Sequence, residues 1–270
     1  MARFSSREEE WAAYLNGTHP AIKLGRRTFR LIPSSPRCKM CSVPFAGLGR
    51  IFFSPFGWKP WEKNPNLCTL CVQSLNRQEV SGAEIEVSFL FADVRRSSDL
   101  ARRVGTMEFT RLMQRFYSVA TEVLFAGDGV IEKFVGDEVV GFFMPLLTGP
   151  NHAAAAVRAA QHLLLETGHG DEGGPWLPLG AGVHTGVAFV GMISRGSSSD
   201  FTAFGDPINV AAHVAGQAAS GEILVTDVAA AAGGLQTDGL ERRRLSLKGF
   251  EESAVVLPVL GGSFPSPSRS

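Results

Sequence analysis

The alternation of apolar and polar residues is regular after about residue 82 and broken before it. Residues 84 to 94 are β-rich and become continuously apolar at 89 to 92, the mark of a central strand covered on both faces. Phe109, Leu112, Met113, Phe116, Tyr117, Ala120, Val123 and Leu124 then recur at helical spacing, which predicts an amphipathic helix packed on a sheet. Gly127-Asp128-Gly129 ends it. Two short β segments, 130 to 135 and 138 to 144, flank Gly136-Asp137 and predict a hairpin whose tight connection carries an acid. A second helix over roughly 151 to 166 is expected to bury Ala153, Ala156, Val157, Ala160 and Leu164. Strands near 179 to 184 and 186 to 193, a helix from about 207 to 218, and short strands near 222 to 225, 241 to 247 and 254 to 259 complete the pattern. The order strand, helix, hairpin, helix, strand predicts an α/β (α+β) fold with a ferredoxin-like βαββαβ core and additions.

Before residue 82 only one element is predicted, a short helix over 6 to 16 that starts at Ser6 with acidic residues in its first turn. From 20 to about 65 Pro and Gly punctuate the chain, and no regular structure is expected. The tail from Gly261, rich in Ser and Pro, is expected to be disordered. The chain therefore divides into an arm at 1–20, a cysteine-rich module at 21–81, a larger domain at 82–260 and a tail at 261–270.

Composition adds two constraints. With 270 residues, 44% hydrophobic and 19% charged, the chain has the material of an ordinary soluble globular protein with one core and a small appended module. Its longest apolar stretches, 87 to 92 and 139 to 147, fall short of the ~20 residues of a membrane helix, and Pro145 interrupts the second. No transmembrane segment is expected, and the N-terminal text lacks the apolar run of a secretory signal, which implies the cytoplasm. Net charge is zero, yet between 21 and 66 the cations at 23, 26, 27, 30, 37, 39, 50, 59 and 63 face only Glu62. That asymmetry marks the cysteine-rich segment as a separate module.

Asp93 closes the predicted central strand and Asp137 sits in the hairpin turn, so a ferredoxin-like arrangement brings the two carboxylates to one edge of the sheet. Two such acids repel unless a cation lies between them, and Mg²⁺ takes its oxygen ligands in this way. The plainer alternative is a capping acid and an ordinary turn acid. The motifs F-A-D-V-R at 91 to 95, E-K-F-V-G-D-E-V-V at 132 to 140 and G-D-P-I-N-V-A-A-H at 205 to 213 decide between these. In that order, over about 84 to 259, they resemble the class III adenylyl and guanylyl cyclase catalytic domain.

The resemblance implies that Asp93 and Asp137, with the main chain of Val94, hold two Mg²⁺ or Mn²⁺ ions, and that a nucleoside triphosphate is converted to a 3′,5′-cyclic nucleotide and pyrophosphate. Val94, Arg95, Arg96 and Ser97 match the segment that cradles the triphosphate. Lys133 matches the base-selecting lysine, and Thr202 stands where most members have the second, acidic selector; some ATP-using members carry Thr, so ATP is favoured over GTP. Asn209 matches the asparagine that orients the ribose, and Lys248 a lysine that reaches the terminal phosphates. Because members place metal acids and base selectors on opposite subunits, a homodimer is implied.

Two positions depart from the family. His213 stands where an arginine stabilises charge in the transition state, and histidine is shorter and only partly charged near neutral pH. Arg96 replaces a glycine that eases the phosphate loop, and it either adds a phosphate contact or stiffens the loop. Slowed turnover is expected, and a degenerate domain that binds nucleotide or a partner without turnover is the alternative.

The four cysteines form two C-x-x-C knuckles, Cys38 with Cys41 and Cys68 with Cys71. In a reducing compartment paired knuckles read as a metal site, here one structural Zn²⁺, with an iron–sulfur or redox role as the other reading. Between them Ile51, Phe52, Phe53, Phe56, Trp58 and Trp61 are expected to pack against the catalytic domain. A surface for an anionic membrane or a nucleic acid is the alternative. Nothing else points to nucleic acid.

Overall fold

The computed structural model describes residues 4–75, 82–195, 198–247 and 250–259. It divides into two compact units, the first made of residues 1–85, 144–150 and 187–204, the second of residues 86–143, 151–186 and 205–270.

In the first unit, α1 (Arg7–Leu15) starts as expected at Ser6, whose hydroxyl accepts from the Glu9 amide at 3.1 Å, and it buries Trp11 and Leu15. The segment after it is more ordered than its punctuation suggested. It contains α2 (Pro20–Phe29), α3 (Gly47–Phe53) running into a short 3₁₀ turn, the hairpin of β1 (Pro60–Trp61) and β2 (Asn64–Cys68), and α4 (Thr69–Leu75). Pro20 occupies the first turn of α2, where its missing N–H costs nothing, so it starts the helix rather than breaking it. Periodicity failed here because α2 buries only Ile22 and α3 only Gly49. The inward positions of α2 after Ile22 are Gly25, Arg26 and Phe29, so its apolar stripe is interrupted, and α3 is only seven residues long.

The second unit carries the expected core. Its chain order is β3 (Gly82–Val94), α5 (Ser97–Val104), α6 (Thr106–Ala126), β4 (Val130–Val135) and β5 (Glu138–Phe143). After α7 (Pro145–Thr148), which belongs to the first unit, come α8 (His152–Glu166) and β6 (Leu179–Arg195), paired at its far end with β7 (Ser198–Phe204); residues 187–204, that far end and β7, also belong to the first unit. The chain continues through α9 (Asp206–Gln217), β8 (Ile223–Thr226), α10 (Asp227–Gly233), β9 (Arg242–Leu247) and β10 (Phe250–Leu257). The strand order β4-β5-β3-β6-β8-β10-β9 contains the ferredoxin-like sheet in its first four members. Met113, Phe116, Ala120, Val123 and Leu124 of α6 join Ala156, Val157, Ala160 and Leu164 of α8 in one buried cluster with β3 and β6. Ala153 of α8 is buried as well.

Two strand expectations change. Residues 179 to 195 form one continuous strand rather than two, and β7, whose Ser-rich start reads as a loop, pairs in register with 189 to 195. The helix α9 lies so close to β6 that a Cβ at Gly182 would stand 2.3 Å from the Ala215 nitrogen. Only glycine permits that approach.

His184 on β6 is buried, its Nδ1 3.0 Å from Thr226 Oγ1, and burial pushes its pKa down to about 4. Burial also lowers His152 and His169. The unfolded chain takes up these protons first, near pH 6.5. Stability from neutral His184 is therefore complete above about pH 6.5 and lost as pH falls towards 4, to a total of about 3 kcal/mol. Urea unfolding at pH 7 and pH 4.5 is expected to show that loss, and His184→Gln to flatten the slope between them.

Candidate functional site

Strand β3 delivers Asp93 to the sheet end at which β4 turns into β5. Asp93 lies opposite Glu138 in the antiparallel register, and the Val94 amide donates to the Asp137 carbonyl at 3.2 Å, which ties the hairpin turn to the end of β3. Gly136 enters the turn at φ +60°, a conformation glycine adopts without strain. The hydroxyl of Tyr117 on α6 donates to the Gly136 carbonyl, and its ring packs on Phe134 with centroids 4.6 Å apart at a 40° tilt, so the turn is held from the helix layer.

The electrostatics are those of a site short of positive charge. Burial raises the pKa of Asp93, the Arg95 guanidinium opposes this, and Asp137 raises it again. Glu138 is raised by burial and then by Asp93 and Asp137, with Lys133 and Arg95 opposing. Three carboxylates thus sense one another at one sheet end, an arrangement that a divalent cation with oxygen ligands relieves. The donor set fits Mg²⁺ or Mn²⁺.

Arg95 serves the protein itself. Its Nη2 donates to Asp93 Oδ2 at 2.7 Å, its Nε to the Asp93 carbonyl at 3.1 Å, and its Nη1 to the Ala218 carbonyl at 3.2 Å. Arg96 adopts the left-handed region, φ 53° and ψ 41°, directly before α5, with its side chain exposed. A residue with a Cβ holds that conformation at a cost of roughly 1–2 kcal/mol. Two clefts flank this loop. One of about 560 Å³ is lined by Ser97, Ser98, Tyr117, Gly136 and Asp137 among others. The other, about 610 Å³, is lined by Arg95, Arg96, Arg103, Asp99 and Ser220 among others.

The remaining expected residues lie elsewhere. Lys133 is exposed on β4, 3.7 Å from Glu132. Asn209 and His213, one turn apart on α9, are exposed on the face away from buried Val210, Ala211 and Val214. Thr202 is half-buried on β7 opposite Gly191. Lys248 and the tail from Gly261 fall outside the described residues. Glu138, Tyr117 and Arg103 were not anticipated. Glu138 follows Asp137 directly, but only the β3–β5 register puts it beside Asp93.

In the first unit Cys38, Cys41, Cys68 and Cys71 converge, their sulfurs all within 4.8 Å of one another and none in a disulfide. Cys38 Sγ lies 3.9 Å from Cys71 Sγ, and Cys41 Sγ 3.8 Å from Cys68 Sγ. Four thiolates about 2.3 Å from a central Zn²⁺ stand about 3.8 Å apart, so the cluster has the dimensions of a tetrahedral site. Hydrogen bonds from the other three cysteines hold Cys38 far below the usual thiol range, while those with Cys38 and Cys41 chiefly push Cys68 and Cys71 up. The cluster fits a small zinc module. Ile51, Phe52 and Phe56 between the knuckles are exposed, contrary to the expectation of packing, whereas Phe53, Trp58 and Trp61 are half-buried.

The model of the adenylate and guanylate cyclase catalytic domain matches residues 80–257. The chain is 29% identical over 136 residues to adenylate cyclase 1 of Rhizobium meliloti, covering 48% of this chain and 20% of that protein. It is 25% identical over 160 residues to an adenylate cyclase of Anabaena cylindrica, covering 57% of this chain and 32% of that one. Among solved structures, the guanylyl cyclase Cya2 aligns with TM-score 0.60 at 20% identity, over 70% of this chain and 98% of that one. The adenylyl cyclase CyaB from P. aeruginosa aligns with TM-score 0.54 at 22% identity, over 66% and 96%. The fold is that of class III cyclase catalytic domains. The chain belongs to the adenylate and guanylate cyclase catalytic domain family. It spans a third or less of the length of these two curated relatives.

Proposed function

We propose that this protein is a cytoplasmic nucleotidyl cyclase that converts a nucleoside triphosphate, ATP in preference to GTP, to a 3′,5′-cyclic nucleotide and pyrophosphate in signal transduction. The observation that carries the reading is the convergence of Asp93 and Asp137, with Glu138 beside them, at one sheet end beside a left-handed loop. Asp93, Asp137 and the Val94 main chain would hold two Mg²⁺ or Mn²⁺ ions. Such ions, when bound, lower the pKa of the attacking hydroxyl and offset charge at the α-phosphate. The ribose 3′-oxygen bonds to the α-phosphorus, the bond to the β-phosphate oxygen breaks, and the hydroxyl proton passes to solvent.

The other residues bind and orient. Arg96, Ser97 and Lys248 contact the phosphates, and Arg95 fixes the Asp93 carboxylate. Lys133 donates to a ring nitrogen of adenine, and Thr202 lines the base pocket. Asn209 orients the ribose and His213 donates to the α-phosphate. The exposure of Lys133, Asn209 and His213 supports a homodimer in which a second copy completes each site. The cysteine cluster holds one structural Zn²⁺.

Purified protein incubated with ATP or GTP and Mg²⁺ or Mn²⁺ tests this reading directly. Cyclic AMP is the expected main product, and no cyclic product from either nucleotide with either metal leaves only a nucleotide-binding role. A missing preorganised donor typically costs ~3 kcal/mol, or a hundredfold or more in rate. His213→Arg is therefore expected to raise kcat by at least about tenfold, read in the same assay.

A further inference from the structure

From residue 11 to residue 61 the chain has eight Lys or Arg and no Asp or Glu. Two of these cations serve the interior of the first unit. Arg26 donates to the carbonyls of Lys39 at 2.7 Å and Leu146 at 3.1 Å, and Arg37 to those of Phe29 at 2.9 Å and Ser42 at 3.0 Å. The other six, Lys23, Arg27, Arg30, Lys39, Arg50 and Lys59, are exposed.

The same stretch exposes a concentration of apolar side chains. Leu24, Leu31, Leu48, Ile51, Phe52 and Phe56 are 66–83% exposed. Folded proteins ordinarily scatter such residues singly. Here they lie on and beside two helices that are tied together. Phe29 at the end of α2 meets Phe53 at the end of α3 edge-on at 5.3 Å, and Trp58 packs on both, at 6.1 and 5.9 Å. That aromatic joint brings the Arg30–Leu31 end of α2 to the helix that carries Arg50, Ile51 and Phe52.

We propose that this surface docks the protein on an anionic lipid bilayer, with Leu31, Ile51 and Phe52 entering the headgroup–acyl boundary and Arg27, Arg30 and Arg50 meeting lipid phosphates. Apolar side chains ringed by cations are what an interfacial membrane contact requires. A second copy is disfavoured, because an isologous contact would set this cationic stretch, which has no Asp or Glu from residue 11 to 61, against itself. Nucleic acid is disfavoured, because bases stack on flat rings and four of the six apolar residues are aliphatic.

The test is flotation of the 270-residue chain with vesicles of phosphatidylcholine alone, or with about a third phosphatidylglycerol, at low and high salt. Binding is expected to the anionic vesicles only, and to weaken with salt. Each cation near an anionic surface contributes roughly fivefold, so Arg27→Ala/Arg30→Ala/Arg50→Ala is expected to weaken binding about a hundredfold. The pair Ile51→Ser/Phe52→Ser is expected to lose at least about tenfold while keeping every charge. All five side chains are exposed, and an unchanged thermal transition checks that the variants fold. Absence of binding to anionic vesicles overturns the proposal. So does wild-type binding by the Ile51/Phe52 variant, which reduces the contact to charge adsorption. Tighter binding to a single-stranded RNA oligonucleotide than to the vesicles assigns the surface to nucleic acid, and retention only by an acidic polypeptide assigns it to a protein; both refute lipid docking.

Discussion

Replacing Asp137 with alanine should lower cyclic-nucleotide formation by at least roughly a thousandfold without unfolding the protein. A metal site supplies several kcal/mol of charge stabilisation at the reacting phosphate, and each 1.36 kcal/mol is about tenfold in rate. The fold tolerates the change because the turn is held by main-chain groups, the Asp137 carbonyl accepting from Val94 and the Gly136 carbonyl from Tyr117. The side chain itself works against stability. It raises the pKa of both Asp93 and Glu138, so its removal relieves repulsion between carboxylates. In EDTA the variant is therefore expected to melt at or above the wild-type temperature. Added Mn²⁺ should raise the Tm of the wild type and leave that of Asp137→Ala unmoved. A variant that keeps a tenth of the activity, or the full Mn²⁺ stabilisation, would falsify the assignment of Asp137 as a metal ligand.

That site was legible in part because its letters are local and its geometry is not. Asp93 follows an apolar run that announces a buried strand, and Asp137 sits in a two-residue turn, so both could be placed at element ends from the sequence. The helices α6 and α8 could be read for the same reason, since their apolar stripes face a core. Glu138 could not. Its place beside Asp93 depends on which residue of β5 lies opposite which residue of β3, and a one-residue slip would turn it to the other face of the sheet. Tyr117 fitted the apolar stripe of α6, and its hydroxyl bond to Gly136 belongs to the tertiary structure. The helices α2 and α3 were missed because each fully buries only one residue and the inward face of α2 is interrupted by Gly25 and Arg26, so no continuous apolar stripe was written into them. Their exposed apolar faces follow from that same fact.

Stripping metal from the cysteine cluster should have the largest effect on stability, and it should fall on the first unit. Structural Zn²⁺ in small modules contributes apparent binding energies of roughly 10–16 kcal/mol, which become folding energy because the unfolded chain has no preformed site. Around the cluster Met40, Val43, Phe45, Leu67, Val72 and Leu75 are also buried, while α2 and α3 each bury one residue. The sulfurs also tie the main chain, with the Cys68 amide donating to Cys38 Sγ at 3.3 Å and the Cys71 amide to Cys68 Sγ at 3.4 Å. Hydrogen bonds from neighbouring sulfurs, and then burial, favour the protonated form of Cys68 and Cys71, so metal binding has to draw those protons off and couples to the folding of this segment. One zinc per chain is expected by elemental analysis. Cys71→Ser or a strong chelator should expose the amides of α2, β2 and α4 to hydrogen exchange, while those of α6, α8 and β3 stay protected by their own buried cluster. Protection of α2 and β2 that survives complete removal of zinc would show that the cysteines pack as an ordinary core and that metal is incidental to them.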